Sequence, residues 1–113
     1  MAKISLIQQF EANIKSIGEV ATLKKVTRKM NRIGHMEYQC DVVFAGHEGN
    51  SFSVYWDTES NWYNVYRNEI VHHDSGFVSH RCELFSPEYH KSGELDVVRE
   101  FITTHWDSKN PKW

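Results

Sequence analysis

The chain has only two cysteines among its 113 residues, Cys40 and Cys82. No apolar run approaches the roughly 20 residues that a membrane helix requires, and no basic and apolar leader follows Met1. We therefore expect a cytoplasmic protein, whose reducing surroundings keep both cysteines as thiols in or near the core. The length fits a single domain over residues 1–113 that holds its core without disulfides.

The motifs that announce catalysis or cofactor binding are also missing. There is no Gly-rich phosphate loop and no nucleophile elbow. His80 and Cys82 stand two apart on one predicted strand, but the close ligand pairs of a structural zinc site are absent. We expect no metal and no cofactor. The histidines are expected in turns or as partly buried imidazoles, and they are His35, His47, His72, His73, His80, His90 and His105.

What the chain does have is a central stretch, Met36 to Phe85, that predicts an antiparallel meander of strands. In residues 36–44 the side chains at even positions are apolar or aromatic, and those at odd positions are mostly polar. This alternation has the period of a strand that packs one of its faces. Further strands are predicted over residues 51–57, from Trp62 as far as Val71, and over 77–85. Turn clusters rich in Gly, Asn and Asp separate them, and connections this short favour antiparallel neighbours.

A helix is predicted before this sheet, from Lys3 to Ile17. Ser5 and Gln8 fit a capping box at its start, and Gly18 stands where a left-handed C-terminal residue is wanted. An apolar stripe at helical spacing would cover the sheet, and it consists of Leu6, Ile7, Phe10, Ile14 and Ile17.

The segment from Glu19 to His35 fits two interpretations. Its apolar residues suit a helix at spacings of three and four, but its β-branched residues and a turn at residues 32–35 favour a strand. We prefer the strand, which would give the sheet a fifth member.

After Phe85 the pattern becomes helical. Residues 86–88 begin with a Ser-Pro helix start and predict a single turn before Ser92-Gly93. A second helix follows from Glu94 to about Trp106, and the polar tail 107–113 is expected to fray. The fold class is therefore α+β: an N-terminal helix, an antiparallel β-meander of four to five strands, and a C-terminal helix packed on the sheet.

Charge is unevenly distributed along the sequence. Residues 1–36 hold seven Lys/Arg against two Glu, whereas the other 77 hold six against thirteen acids, for a formal total of −2. The predicted basic stripe has no acid within it and consists of Lys24, Lys25, Arg28, Lys29 and Arg32. Such a stripe suits phosphates or an acidic protein surface, and it also suits a solvated strand that resists pairing with other molecules.

An aromatic cluster occupies two neighbouring predicted strands. Because adjacent residues of a strand point to opposite faces, some of its rings must lie on the far face of the sheet. The predicted partner-binding rings are Tyr55, Trp56, Trp62, Tyr63 and Tyr66. Exposed rings of this kind either anchor a protein interface, including a homodimer, or stack on single-stranded bases. No RNP-type motif supports the second use.

Small metal-independent ribonucleases share the plan of a helix followed by an antiparallel sheet, and they require a general base, a general acid and a cation. Residues that would meet these needs stand on the last two predicted strands, namely Arg67, His73, His80, Arg81 and Glu83. Nothing in their spacing requires them to converge.

These patterns together predict a non-enzymatic module that binds another protein, as an inhibitor or adaptor. One such role would be that of a phage or mobile-element protein that blocks a host defence or nucleic-acid enzyme. The alternatives are a nucleic-acid-binding module that uses residues 24–32 with exposed rings, and the ribonuclease. No membrane association is expected.

Overall fold

The computed structural model describes residues 5–24, 26–46, 49–81 and 89–106. Its elements in chain order are α1 (Leu6–Lys15), β1 (Val20–Leu23), β2 (Thr27–Met30), β3 (Met36–Phe44), β4 (Asn50–Asp57), β5 (Trp62–His72), β6 (Val78–Arg81), β7 (His90–Gly93) and α2 (Leu95–Trp106). This is the predicted α+β class. Neither described helix is long and apolar enough to cross a membrane.

The seven strands formed by the described residues belong to one antiparallel sheet. Three long strands, β3, β4 and β5, form its middle, and each edge is shared by two short strands. On one side β1 and β2 both pair with β3, and on the other side β6 and β7 both pair with β5. The seven segments therefore fill five positions across the sheet.

One face of the sheet forms the core with the two helices. Strand β3 buries every second residue along its length, as its sequence pattern predicts. Phe10 of α1 stacks on Trp56 with ring centroids 5.9 Å apart, and Trp56 stacks on Tyr63 at 5.8 Å. From α2, Val98 and Ile102 pack into the same cluster and are fully buried. Both helices thus cover the same face, which we call the covered face.

Helix α1 confirms the capping box but corrects both predicted bounds, Lys3 and Ile17, because it runs from Leu6 to Lys15 with Ser5 as its N-cap. The backbone N–H of Gln8 donates to Ser5 Oγ, and the side chain of Gln8 accepts from the Ser5 N–H. At the other end Ser16 caps the helix in a right-handed conformation, with its N–H bonded to the carbonyl of Ala12. Gly18 is not left-handed, because the chain leaves the helix two residues earlier and needs no glycine there.

The segment from Glu19 to His35 is extended, as preferred, but it forms two strands separated at residues 24–26. A bulge also interrupts the pairing of β1 with β3 between Val20 and Thr22. The predicted turn at residues 32–35 is confirmed: Gly34 has φ +80°, and Asn31 N–H donates to the carbonyl of His35. Glycine adopts this conformation without steric cost.

The region before α2 differs from the prediction. Residues 90–93, expected to follow a helical turn, form strand β7 beside β5. Strand β6 occupies the first part of the predicted strand 77–85, whereas residues 82–85, the predicted turn at 86–88 and the tail 107–113 lie outside the described residues. Helix α2 agrees with its prediction within one residue.

Candidate functional site

Neither helix covers the second face of the sheet, which we call the open face. Cross-strand pairing defines its rows: Gln39 lies opposite Tyr55, and Tyr55 lies opposite Asn64. The members of the next row are Asp41, Ser53, Tyr66 and His90. Nearly all side chains of this face are polar or aromatic and half-buried. Such a face combines hydrogen-bonding groups with flat rings.

Three rings form the centre of the open face. The ring of Tyr66 stacks on His90, with centroids 4.6 Å apart and planes 23° apart. Tyr55 meets Tyr66 edge to face at 5.6 Å, a favoured geometry for aromatic pairs. Nε2 of His90 is enclosed and has no hydrogen-bond partner among the described residues. The three side chains come from three adjacent strands, so the sheet itself holds them in place.

A chain of hydrogen bonds runs across the same face. Asn68 Nδ2 donates to Ser53 Oγ at 2.9 Å, and Ser53 Oγ donates to Asp41 Oδ1 at 2.8 Å. Each link joins neighbouring strands, which fixes the side chains in one arrangement. The remaining oxygen of Asp41 and the amides of Gln39 and Asn64 can meet a partner's donors and acceptors.

The predicted aromatic surface divides between the two faces. Tyr55, Trp62 and Tyr66 lie on the open face, and Trp62 is 46% exposed. Trp56 and Tyr63 point the other way and are only 3% and 1% exposed, so they belong to the core and not to a binding surface. Burial raises the pKa of the Tyr63 hydroxyl, and the hydrogen bond that it accepts from Asn13 at 2.9 Å acts against that shift.

The basic stripe lies along one edge of the sheet: Lys24 directly follows β1, Arg28 and Lys29 belong to β2, and Arg32 lies in the turn after β2. Its described members, Lys24, Arg28, Lys29 and Arg32, are all exposed, and Lys25 lies outside the described residues. Arg28 pairs with Tyr38 of the covered face, whereas Lys29 pairs with Glu37 of the open face. The four cations therefore flank both sides of an edge and do not form one flat patch.

Beside this edge is a groove of about 330 Å³, between α1 and the edge strands. Three apolar side chains line it, Ile7, Leu23 and Val26, and Glu11 and Lys24 complete the lining. Ile7 is 40% exposed, because this part of the apolar stripe of α1 extends beyond the sheet.

The suggested ribonuclease residues are not brought together where the structure describes them. Arg67 is buried on the covered face, with its guanidinium 5.3 Å from the ring centroid of Tyr89 and its Nε donating to Asn50. His73 lies six residues further along, about 20 Å at strand spacing, in an exposed turn where it bonds Ser79. Glu83 and the side chains of His80 and Arg81 lie outside the described residues, as does Cys82 of the considered zinc pair.

Sequence reasoning missed His90 because it missed strand β7. Its neighbours Lys91 and Ser92 give no apolar alternation, so only the pairing with β5 makes this segment a strand. The Asp41–Ser53–Asn68 chain was equally hidden, since it depends on the register of three strands.

No protein-family model, curated protein or solved structure matches this chain. Its function has to be inferred from its own geometry.

Proposed function

We propose that the protein acts by binding another protein, as an inhibitor or adaptor, and that the open face is the surface it uses. The observation that carries the proposal is the cluster of Tyr55, Tyr66 and His90 at the centre of a sheet face that neither helix covers. Tyrosine offers a large rigid contact area with a polar tip, and it is enriched at protein interfaces.

The rest of the face fits this use. The bonded chain from Asn68 to Asp41 is fixed before any partner arrives, so little side-chain entropy is lost on binding. Glu37 and Asp41 make this side acidic, which suits a partner surface with basic or hydrogen-bond-donating groups.

A nucleic-acid ligand is favoured less by this arrangement. The exposed cations follow the β1–β2 edge, whereas Tyr66 lies on β5, three strand positions away, or about 14 Å at strand spacing. Two acids, Glu37 and Asp41, lie on β3 between them. A strand of nucleic acid that reached from the cations to the rings would pass over these carboxylates.

The test is affinity capture from host lysate with nuclease-treated and untreated samples in parallel. The bait is compared with Tyr66→Ala, which removes the central ring, and with Asn64→Arg, which adds bulk to the face and keeps every ring. Phe77→Ala is the matched control, because Phe77 is 63% exposed in the turn between β5 and β6.

We expect one stoichiometric protein to be captured from both nuclease-treated and untreated lysate. The Phe77→Ala bait should capture it equally well, and neither open-face variant should capture it. Equal capture by all four baits would remove the open face from the interaction. Recovery of nucleic acid, with every protein lost after nuclease, would overturn the protein-binding proposal.

A further inference from the structure

The edge formed by β1 and β2 has the geometry of a site for an added strand. Among the described strands only β3 pairs with them, so their outer side carries no ladder. The N–H of Asn31 donates to the carbonyl of His35. From this hydrogen-bonded pair onward, successive residues of an antiparallel strand point their N–H and C=O groups alternately toward the partner strand and away from it. The N–H and C=O groups of Arg28 and Met30 therefore point away from β3, toward an incoming chain.

The groove beside this edge is lined at Leu23 and Val26, so it would receive a side chain of such a strand next to the residues paired with Arg28 and Met30. A residue paired with Arg28 or Met30 shares their face, which is the covered face where α1 lies. There Ile7, Leu23 and Val26 provide apolar walls. Burial in this groove would favour an apolar side chain on this face of the incoming segment, and the side chains of one face stand at alternate positions.

Charge specifies the remaining positions. None of the cations Lys24, Arg28, Lys29 and Arg32 forms an ion pair with another described residue. A second copy of the chain would bring the same cations to this edge and be repelled, which is how basic edge strands avoid self-association. A segment with Asp or Glu between its apolar residues would instead be attracted.

We infer that this edge binds an extended segment of another protein, in which apolar residues alternate with acidic ones, as an additional antiparallel strand. Backbone hydrogen bonds to Arg28 and Met30 set its register, the groove selects its apolar side chains, and the cations select its acids. This surface is separate from the open face. The inference rests on the proposed function only in assuming that the partner is a protein.

The probe is a fluorescein-labelled octapeptide of alternating Val and Glu, titrated with the full chain and followed by fluorescence anisotropy. Two comparison peptides are the Val-Lys alternation and a block peptide with four Val followed by four Glu. We expect the alternating acidic peptide to bind at least tenfold more tightly than either, and its affinity to fall as salt rises from 50 to 300 mM. Equal affinity for the block peptide, or no binding of the alternating one, would overturn the inference.

Two N-methylated versions of the peptide test strand addition without changing the protein. In an antiparallel strand the residues opposite Arg28 and Met30 carry the valines and point their N–H groups to the edge. Methylation of the valine nitrogens should therefore abolish binding, whereas methylation of the glutamate nitrogens should leave it within about threefold. If both versions bound like the parent, strand addition would be wrong.

Three variants of the chain locate the site. Met30→Pro removes an outward N–H and leaves the ladder to β3 intact, and it should abolish peptide binding. Lys29→Glu should weaken binding at least tenfold, because Lys29 lies on the face to which the glutamates of the peptide point. Lys91→Glu is the charge-matched control, because Lys91 is exposed on β7 at the opposite edge, and it should bind normally.

Amide chemical shifts of the full chain separate this inference from the proposed function. The peptide should shift amides of β1, β2 and the first turns of α1 and leave those of Tyr55 and Tyr66 unchanged. Shifts confined to the open face would overturn the edge site and support the open face instead. If the open-face variants captured the lysate protein as well as the wild type did, the proposed use of the open face would be wrong. The peptide-binding result at the β1–β2 edge would still hold.

Discussion

The ring Nδ1 of His35 lies 3.0 Å from Oδ2 of Asp57, and this contact joins the turn after β2 to the last residue of β4. Asn31 Nδ2 donates to the same oxygen at 2.9 Å, and the N–H groups of Glu59 and Ser60 donate to Oδ1. Burial alone would raise the pKa of Asp57, but these hydrogen bonds outweigh it and lower the pKa from 3.8 to about 2. One carboxylate thus holds two hairpin ends together.

Replacing this carboxylate by an amide should destabilise the fold. In Asp57→Asn an N–H₂ group would face the donors of Asn31 and His35, so we expect a loss of about 1–3 kcal/mol in the free energy of unfolding near neutral pH. The folded-state pKa lies below the unfolded value, so the carboxylate's contribution is complete above pH 3.8 and is lost as the pH falls toward 2. Urea unfolding at pH 7, 4 and 2.5 should show the difference between the two proteins shrink.

Asp74→Asn is the matched control, since Asp74 is exposed in the turn after β5. Its effect should stay within about 0.5 kcal/mol at every pH. A wild-type advantage over Asp57→Asn that persisted undiminished at pH 2.5 would contradict the assignment to the ionised carboxylate.

Gly93, the last residue of strand β7, lies against Val97 of helix α2. Its φ is +152°, and a Cβ added there would lie 3.1 Å from Val97 Cβ. Gly93→Ala should therefore cost about 1–3 kcal/mol through backbone strain and crowding, measured as a lower urea midpoint. Gly49→Ala is the control, because a Cβ at Gly49 meets nothing within 4 Å and its φ is not positive. A Gly93→Ala protein as stable as Gly49→Ala would show that α2 moves away freely.

Asn61 closes the turn between β4 and β5 in a left-handed conformation, with φ +53°. Its Oδ1 accepts a hydrogen bond at 3.0 Å from Nε1 of the buried Trp56. Asn61→Ala loses this bond and retains the strain, so it should cost about 1–2 kcal/mol, whereas Asn61→Gly loses the bond but relaxes the backbone and should cost less. Thermal unfolding of the two variants checks the order. A more stable Ala variant would show that the left-handed backbone at residue 61 carries no strain.

The contrast between β3 and β7 shows how far the sequence predicts this fold. The bounds of β3 follow from its own alternation, and the start of α1 follows from Ser5 and Gln8, because both signals are local. The His90–Gly93 segment carries no such signal and becomes a strand only by pairing with β5.

The candidate site has the same limit. Alternation requires that Tyr55 and Trp56 point to opposite faces, but it does not say which face the helices cover. That choice depends on where α1 docks, and it places Trp56 under Phe10 and leaves Tyr55 on the open face. Two of the five predicted partner-binding rings, Trp56 and Tyr63, therefore belong to the core.

Cys40 is predicted to be chemically inert in the folded protein. It is 3% exposed in the core, and burial, together with the nearby charges of Asp41 and Glu11, raises its thiol pKa from 9.0 to about 12. Since only the thiolate reacts, alkylation by iodoacetamide at pH 8 should require unfolding, and peptide mass spectrometry can follow Cys40 separately from Cys82. A folded-state pKa above the unfolded value also means that stability is retained below pH 9 and falls as the pH rises toward 12. Cys40→Ser should remove much of this alkaline loss, and rapid labelling of Cys40 in native conditions would contradict its place in the core.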